Sequence, residues 1–185
     1  EHFTGKGNVI DTYQLMEDVL KQGSKEVRED ILTAIDKYEV FTTDMYKCLM
    51  ALSPEDLTYT LFTGRIRNTE EMVLSPLPNY VFTRDIAVVI NDFVLVCQAS
   101  KKARTRESTL TRAIIYFHPL FSGPRNNQRI IDMTKEDDDA TIEGGDVMTI
   151  NKDYLLVGCS ERSTPKAFAK LRDHLFEKKV IDNVV

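Results

Sequence analysis

The stretch Ile86-Ala87-Val88-Val89-Ile90-Asn91-Asp92-Phe93-Val94-Leu95-Val96-Cys97 decides the fold class. Two β-branched and aromatic runs, Ile86 to Ile90 and Phe93 to Cys97, flank a two-residue Asn-Asp turn. That spacing predicts a β-hairpin, because asparagine and aspartate tolerate the left-handed backbone that tight hairpin turns require.

Upstream of Pro76 the texture is helical. Leu15, Met16, Val19 and Leu20 recur at helical spacing, followed by Val27, Ile31, Leu32 and Ile35, then by Met45, Cys48 and Leu49. Ser53-Pro54-Glu55-Asp56 is a helix start, with Ser53 as N-cap, Pro54 at the first helical position and acids in the first turn. Breaks at Gly23-Ser24 and Thr42-Thr43 fit a small antiparallel bundle over residues 1–70. Downstream of the hairpin, Leu110, Ala113, Ile114 and Phe117 share one helix face, and Ile130 to Met133 reads as a strand. Lys135 to Asp139 is a solvated acidic loop. Val147 to Ile150 and Tyr154 to Val157 form a second hairpin through Asn151-Lys152-Asp153. Thr164-Pro165 caps a last amphipathic helix carrying Phe168, Leu171 and Leu175. Hairpin, helix, strand, hairpin, helix is an α/β order over residues 71–185, with the bundle as a separate subdomain.

Bulk properties remove several function classes. The chain has 185 residues, 42% hydrophobic and 29% charged, which suffices for a buried core. With 24 basic against 29 acidic residues and a net charge of -5, it lacks the basic face of a nucleic-acid binder. Its apolar runs are too short to span a membrane. Cys48, Cys97 and Cys159 are widely separated, which argues against a disulfide framework and for a reducing compartment. His2, His118 and His174 are scattered, so no metal site is expected. No glycine-rich phosphate loop, nucleophile elbow or HExxH motif occurs. Nothing bears on oligomeric state.

Charge is concentrated in four places. Pro76-Leu77-Pro78-Asn79-Tyr80-Val81-Phe82-Thr83-Arg84-Asp85 puts an Arg-Asp pair at the entrance of an apolar strand. Ala103-Arg104-Thr105-Arg106-Glu107 lies where the first hairpin passes into a helix. Glu143-Gly144-Gly145-Asp146 is wedged between Ile142 and Val147, and Gly158 to Ser163 places Arg162 just before a helix cap. Ions among strand-forming residues are costly unless paired, and loops at strand ends are where α/β folds hold their sites. Asp85 and Glu143 match a planar cation such as a guanidinium, whereas Arg104 and Arg162 match a carboxylate. A ligand with one such group at each end is an amino acid such as arginine. Taken singly, each acid reads first as a salt-bridge member, and Arg84 and Arg106 as partners of neighbouring acids. Cys159 reads as a small core residue, and His118, before Pro119, as a cap.

At these residues the chain closely resembles the arginine deiminases, guanidino-group-modifying enzymes of the pentein (α/β propeller) superfamily. The resemblance rests on an ordered set: Pro78-Asn79, Phe82-Thr83-Arg84-Asp85, Ala103-Arg104 with Glu107, His118-Pro119, Glu143-Gly144-Gly145-Asp146, and Gly158 with Glu161-Arg162-Ser163. It is close over residues 76–177 and looser over the N-terminal helices, which look like the helical insertion these enzymes carry. The resemblance implies catalytic roles for Asp85 and Glu143 as the carboxylates that clamp the substrate guanidinium. It implies Arg104 and Arg162 at the α-carboxylate, Asn79 at the amino-acid end and Phe82 against the substrate, with Arg84 and Asp146 supporting the loops. The implied reaction is hydrolysis of L-arginine to citrulline and ammonia through a cysteine-bound thiouronium, without cofactor or metal, in the cytoplasm.

The pattern also departs from the family. No cysteine stands at the nucleophile position, and neither His118 nor His174 is followed two residues later by aspartate. The expectation is an internal fragment of a protein roughly twice as long, itself inactive. Alternatives are an amidinotransferase or arginine dihydrolase on the same scaffold, or a non-catalytic module that binds guanidino compounds.

Overall fold

The computed structural model of the protein describes residues 10–69, 71–126 and 128–185. His2, and residues 1–9 and 70 of the expected bundle, lie outside the described residues.

Four helices open the chain: α1 (Thr12–Gln22), α2 (Lys25–Glu39), α3 (Thr43–Ala51) and α4 (Pro54–Thr63). Their starts follow from side-chain caps. Asp11, Thr42 and Ser53 each accept a hydrogen bond from a backbone N–H of the first turn, and Pro54 stands at the start of α4. Helix α4 ends at Gly64, whose φ of 79° is the left-handed conformation that favours glycine. Leu15, Met16, Val19, Leu20, Ile31, Leu32, Ile35, Leu49, Leu57 and Leu61 are buried in one cluster. Each such side chain contributes roughly 1.5–3 kcal/mol by leaving water. The same cluster continues through Leu74, Tyr80 and Ile86 to Leu110, Ala113 and Ile114. Cys48 is exposed. On nine-residue α3 only Leu49 is buried, so the apolar spacing that included Cys48 overstated the inward face.

The hairpin forms where its sequence places it. β1 (Ala87–Ile90) and β2 (Phe93–Val96) pair antiparallel with Ile90 opposite Phe93, and Asn91 turns with φ 53°. Ile86 instead closes a single helical turn, α5 (Thr83–Ile86), and its carbonyl accepts from Cys97 N at 3.0 Å. After α6 (Thr105–Phe117) and the short α7 (Ser122–Asn126), β3 (Ile130–Asp132) joins β2 in parallel. Met133 leaves that strand for a 3-10 turn. β2 is therefore central, which explains its unbroken apolar run. Val94 and Val96 meet Ile115 of α6, while Leu95 faces the other way into a second core.

β4 (Val147–Thr149) and β5 (Tyr154–Val157) make the second hairpin; α8 (Pro165–Glu177) follows, and β6 (Asn183–Val184) pairs parallel to β5. Each three-stranded sheet is thus a hairpin, a helical crossover and a parallel third strand, the same unit twice. Ile142 N donates to Gln98 O at 2.9 Å and bridges the units. Between them lies the second core, with Ile90, Leu95, Cys97, Ile131, Ile142, Val147, Leu155, Leu171 and Leu175. The acidic loop 135–139 is largely exposed and ion-paired to α8, Lys166 reaching Asp137 at 2.8 Å and His174 reaching Glu136 at 2.9 Å. Hydrogen bonds from His174 and Lys170 hold the Glu136 carboxyl below its ordinary range. Among the described residues, no helix is long and apolar enough to cross a membrane.

Candidate active site

The repeat places charges at equivalent points. Asp85 lies in the turn before the first hairpin, and Glu143 just before the second. Arg104 immediately precedes α6, and Arg162 lies just before α8. Because the two units stand side by side, these four residues converge.

Arg104 is at the centre. Its Nη1 donates to Asp85 Oδ2 and to Glu143 Oε2, each at 3.0 Å, and its Nε donates to Glu107 Oε2 at 2.8 Å. Arg162 Nη1 donates to the same Glu143 Oε2 at 2.8 Å. Glu143 Oε1 accepts from Ser100 N and Oγ, both at 3.3 Å, and Glu143 N donates to Ser163 Oγ at 3.1 Å. The backbone N–H of Asn79 donates to Glu107 Oε1 at 2.7 Å. Asp85, Glu107, Glu143, Arg104 and Arg162 form one network, which Glu161 extends by pairing with Arg162 Nε at 3.5 Å, so carboxylates outnumber arginines. Arg104 is only 3% exposed, yet its Nη2 has no hydrogen-bond partner among the described residues. Burial opposes its charge, but hydrogen bonds to Glu107 and Asp85 outweigh that and hold its pKa above the ordinary value. Arg162, half-exposed, is likewise raised by its hydrogen bond to Glu143.

The two glycines of the Glu143-Gly144-Gly145-Asp146 segment make the approach possible. At Gly144 a Cβ would overlap the Arg84 carbonyl and the Val88 side chain. At Gly145 it would lie 3.2 Å from Asp85 Oδ1. The second unit therefore packs backbone to backbone on the α5 turn that carries Asp85.

The remaining sequence-proposed residues stand around this network. Asn79 is half-buried and joins it through its backbone, whereas Phe82 is 56% exposed. Arg84 turns from Asp85 to donate from Nη2 to Val147 O at 3.0 Å. Asp146 accepts from Ser160 Oγ at 2.7 Å, and Gly158 N donates to Asp146 O at 2.8 Å. Arg104 and Arg162, expected at the far end of a ligand from the clamp, here contact the clamp carboxylates themselves. A cleft of about 630 Å³ opens behind Ser100, between α2, α6 and residues 134–138, and none of the four converging residues lines it. Among the described residues, no group of His, Cys, Asp and Glu is arranged to hold a metal.

Two features were not assigned from sequence. Glu107 was noted beside Arg104 without a role, although three residues along a helix start is a spacing that lets side chains meet. Cys159 is exposed rather than part of the core, because the apolar strand ends at Val157 and Gly158 turns the chain outward. Cys97 is the buried thiol. Burial, reinforced by the charges of Glu143 and Asp85, pushes its pKa far above the ordinary range, so it stays protonated and unreactive. A thiol reagent applied to the native chain is expected to label Cys48 and Cys159 rapidly and Cys97 only on unfolding; mass spectrometry of the labelled peptides reads this out, and rapid native labelling of Cys97 would contradict its burial.

A family profile described as arginine deiminase matches residues 10–185. Among solved structures, the chain is similar to a dimethylarginine dimethylaminohydrolase adduct with 4-chloro-2-hydroxymethylpyridine, at 17% identity and TM-score 0.46, covering 59% of this chain and 40% of that one. It is also similar to a mutant of the dimethylarginine dimethylaminohydrolase from Pseudomonas aeruginosa complexed with citrulline, at 17% identity and TM-score 0.46, covering 59% of this chain and 38% of that one. The chain thus spans well under half the length of these solved relatives.

Proposed function

Because the chain belongs to the arginine deiminase family, we propose that it supplies the substrate-gripping part of an active site that hydrolyses L-arginine to L-citrulline and ammonia. The observation that carries this proposal is the convergence of Asp85 and Glu143 on one guanidinium nitrogen, that of Arg104, at 3.0 Å from each carboxylate. The pair already binds the chemical group that the substrate would present. The excess of carboxylates over arginines in the cluster suits a cationic ligand group such as a guanidinium. The unpartnered Nη2 of buried Arg104 is a donor available to a ligand carboxylate.

Binding is then an exchange of partners. The ligand guanidinium takes up the clamp carboxylates, half-exposed Arg162 releases Glu143, and Arg104 and Arg162 turn donors to the ligand's carboxylate. Asn79 contacts the amino-acid end and Phe82 covers the ligand, while Arg84 and Asp146 support the loops. A cysteine thiolate attacks the guanidinium carbon, a histidine gives its proton to the departing nitrogen of the adduct, and ammonia leaves. Water, giving a proton back to that histidine, then adds to the thiouronium carbon, and the C–S bond breaks to release citrulline and the thiolate. The chain alone is inactive in this scheme. In this reading residues 71–185 belong to an α/β propeller and the described helices before them to its helical insertion, a reading supported by the hairpin-helix-strand unit that occurs twice. A cytoplasmic location belongs to the same proposal, resting on three free thiols.

Intact protein supplied with L-arginine is expected to release one ammonia and one citrulline per arginine consumed. Two ammonia molecules per arginine would indicate a dihydrolase, guanidino transfer without ammonia an amidinotransferase, and no turnover by folded protein would refute the hydrolase.

A further inference from the structure

Glu107 is a glutamate in the first turn of a helix, a place where acids are normally solvated beside the helix dipole. Here it is fully buried, and both of its oxygens are used. Oε2 accepts from Arg104 Nε at 2.8 Å, and Oε1 accepts from the Asn79 backbone N–H at 2.7 Å. One carboxylate thus joins the two segments that carry the residues proposed to meet the amino-acid end of the ligand. Its neighbour Arg106 grips the same loop a few residues earlier, donating to the Ser75 carbonyl and to Glu39 of α2. The clamp carboxylates have other anchors. Glu143 is held by Ser100 and Ser163, and Asp85 sits in the α5 turn with its N–H on the Phe82 carbonyl at 3.0 Å.

We propose that Glu107 is the positioning residue that selects ligands bearing a carboxylate: it holds the Arg104 guanidinium by its Nε with Nη2 left free, and ties the Asn79 turn to it. This rests on the function proposed above. Loss of Glu107 would release the Nε edge of Arg104, leaving it held only by the clamp carboxylates, and let the Asn79 turn drift, loosening the grip on the amino-acid end. The clamp carboxylates share Arg104 but keep their anchors on Ser100, Ser163 and the α5 turn, so the guanidinium end would hold its geometry.

The test uses Glu107→Gln in the intact protein, with L-arginine as substrate and 4-aminobutylguanidine, which has the guanidinium but no carboxylate, as a competitive inhibitor. The expected result is a KM for L-arginine raised about 10- to 100-fold, the loss of one buried charge-assisted hydrogen bond, with kcat changed by less than about threefold. The inhibition constant of 4-aminobutylguanidine is expected to stay within about threefold of wild type, as only guanidinium contacts fix it. A merely structural role would weaken both ligands together and lower kcat, and that outcome overturns the proposal, as does an unchanged KM. Should Glu107→Gln fail to show a cooperative melt, Glu107→Asp, which keeps the charge and retracts it, decides by the same comparison: a KM rise confined to L-arginine supports the positioning role, and parallel losses refute it. Wild-type protein that neither binds nor hydrolyses L-arginine removes the function proposed above and this inference with it. Active wild type with an indifferent Glu107 variant removes this inference alone.

Discussion

Replacing Glu143 with glutamine is expected to lower kcat/KM for L-arginine in the intact protein by about 10- to 10⁴-fold. The range follows from losing one or two charge-assisted hydrogen bonds to the ligand guanidinium at about 1.5–3 kcal/mol each. Glu143 is the most connected acid in the network, accepting from Ser100, Arg104 and Arg162. An amide can still accept from Ser100, so the side chain keeps its place while the charge is gone. Arg104 retains Asp85 and Glu107 as partners, which limits the cost in stability to roughly 1–3 kcal/mol. Activity and denaturant midpoint, measured together, separate the two effects. A variant within a few-fold of wild-type kcat/KM would remove Glu143 from the guanidinium clamp.

Gly144→Ala is the second large effect. The added methyl would overlap the Arg84 backbone carbonyl, an atom that cannot rotate away, and the Val88 side chain behind it. The Gly144–Asp146 turn and the α5 turn must therefore part, separating Glu143 from Asp85. The expected cost is about 2–4 kcal/mol, in the range of overpacking without room to relax, together with loss of activity. Gly123→Ala is the matched control. A Cβ there meets nothing within 4 Å and lies in α7, so that change is expected to be neutral or stabilising by up to about 1 kcal/mol. Urea unfolding of both variants reads the contrast, and a Gly144→Ala midpoint equal to wild type would contradict the close approach.

Much of the fold was legible because its signals are local. The Asn91-Asp92 turn, the Ser53-Pro54 and Thr164-Pro165 helix starts and the apolar faces of α1, α2, α6 and α8 depend on residues a few positions apart. What escaped depends on distant partners. β6 is two residues long and exists only because β5 lies beside it, so no periodicity announces it. Without β6 the second unit does not read as a copy of the first. The α5 turn stands where the sequence reads as a strand entrance, and its Arg84 carbonyl lies in close contact with Gly144, a partner far along the chain. For the site, composition and spacing supplied only acids and arginines at loop ends. Their chemistry suggested the two ends of an amino-acid ligand, the family resemblance gave each a role, and their convergence became visible only once the two units stood side by side. Glu107 was illegible for a different reason: an acid in a first helical turn carries no mark that it is buried.

Helix α6 has a further consequence. One of its faces supplies Leu110, Ala113 and Ile114 to the helical core, and another supplies Ile115 to the sheet. Its N-terminal end presents Arg104, Arg106 and Glu107. A single rigid rod is therefore shared by the core, the sheet and the charged network, and none of the three can loosen without disturbing the others. Any ligand that orders Arg104 tightens residues that never touch it. At a concentration about 100 times its dissociation constant, such a ligand would add roughly 2.7 kcal/mol to the stability of the whole cooperative unit, α1 to α4 included.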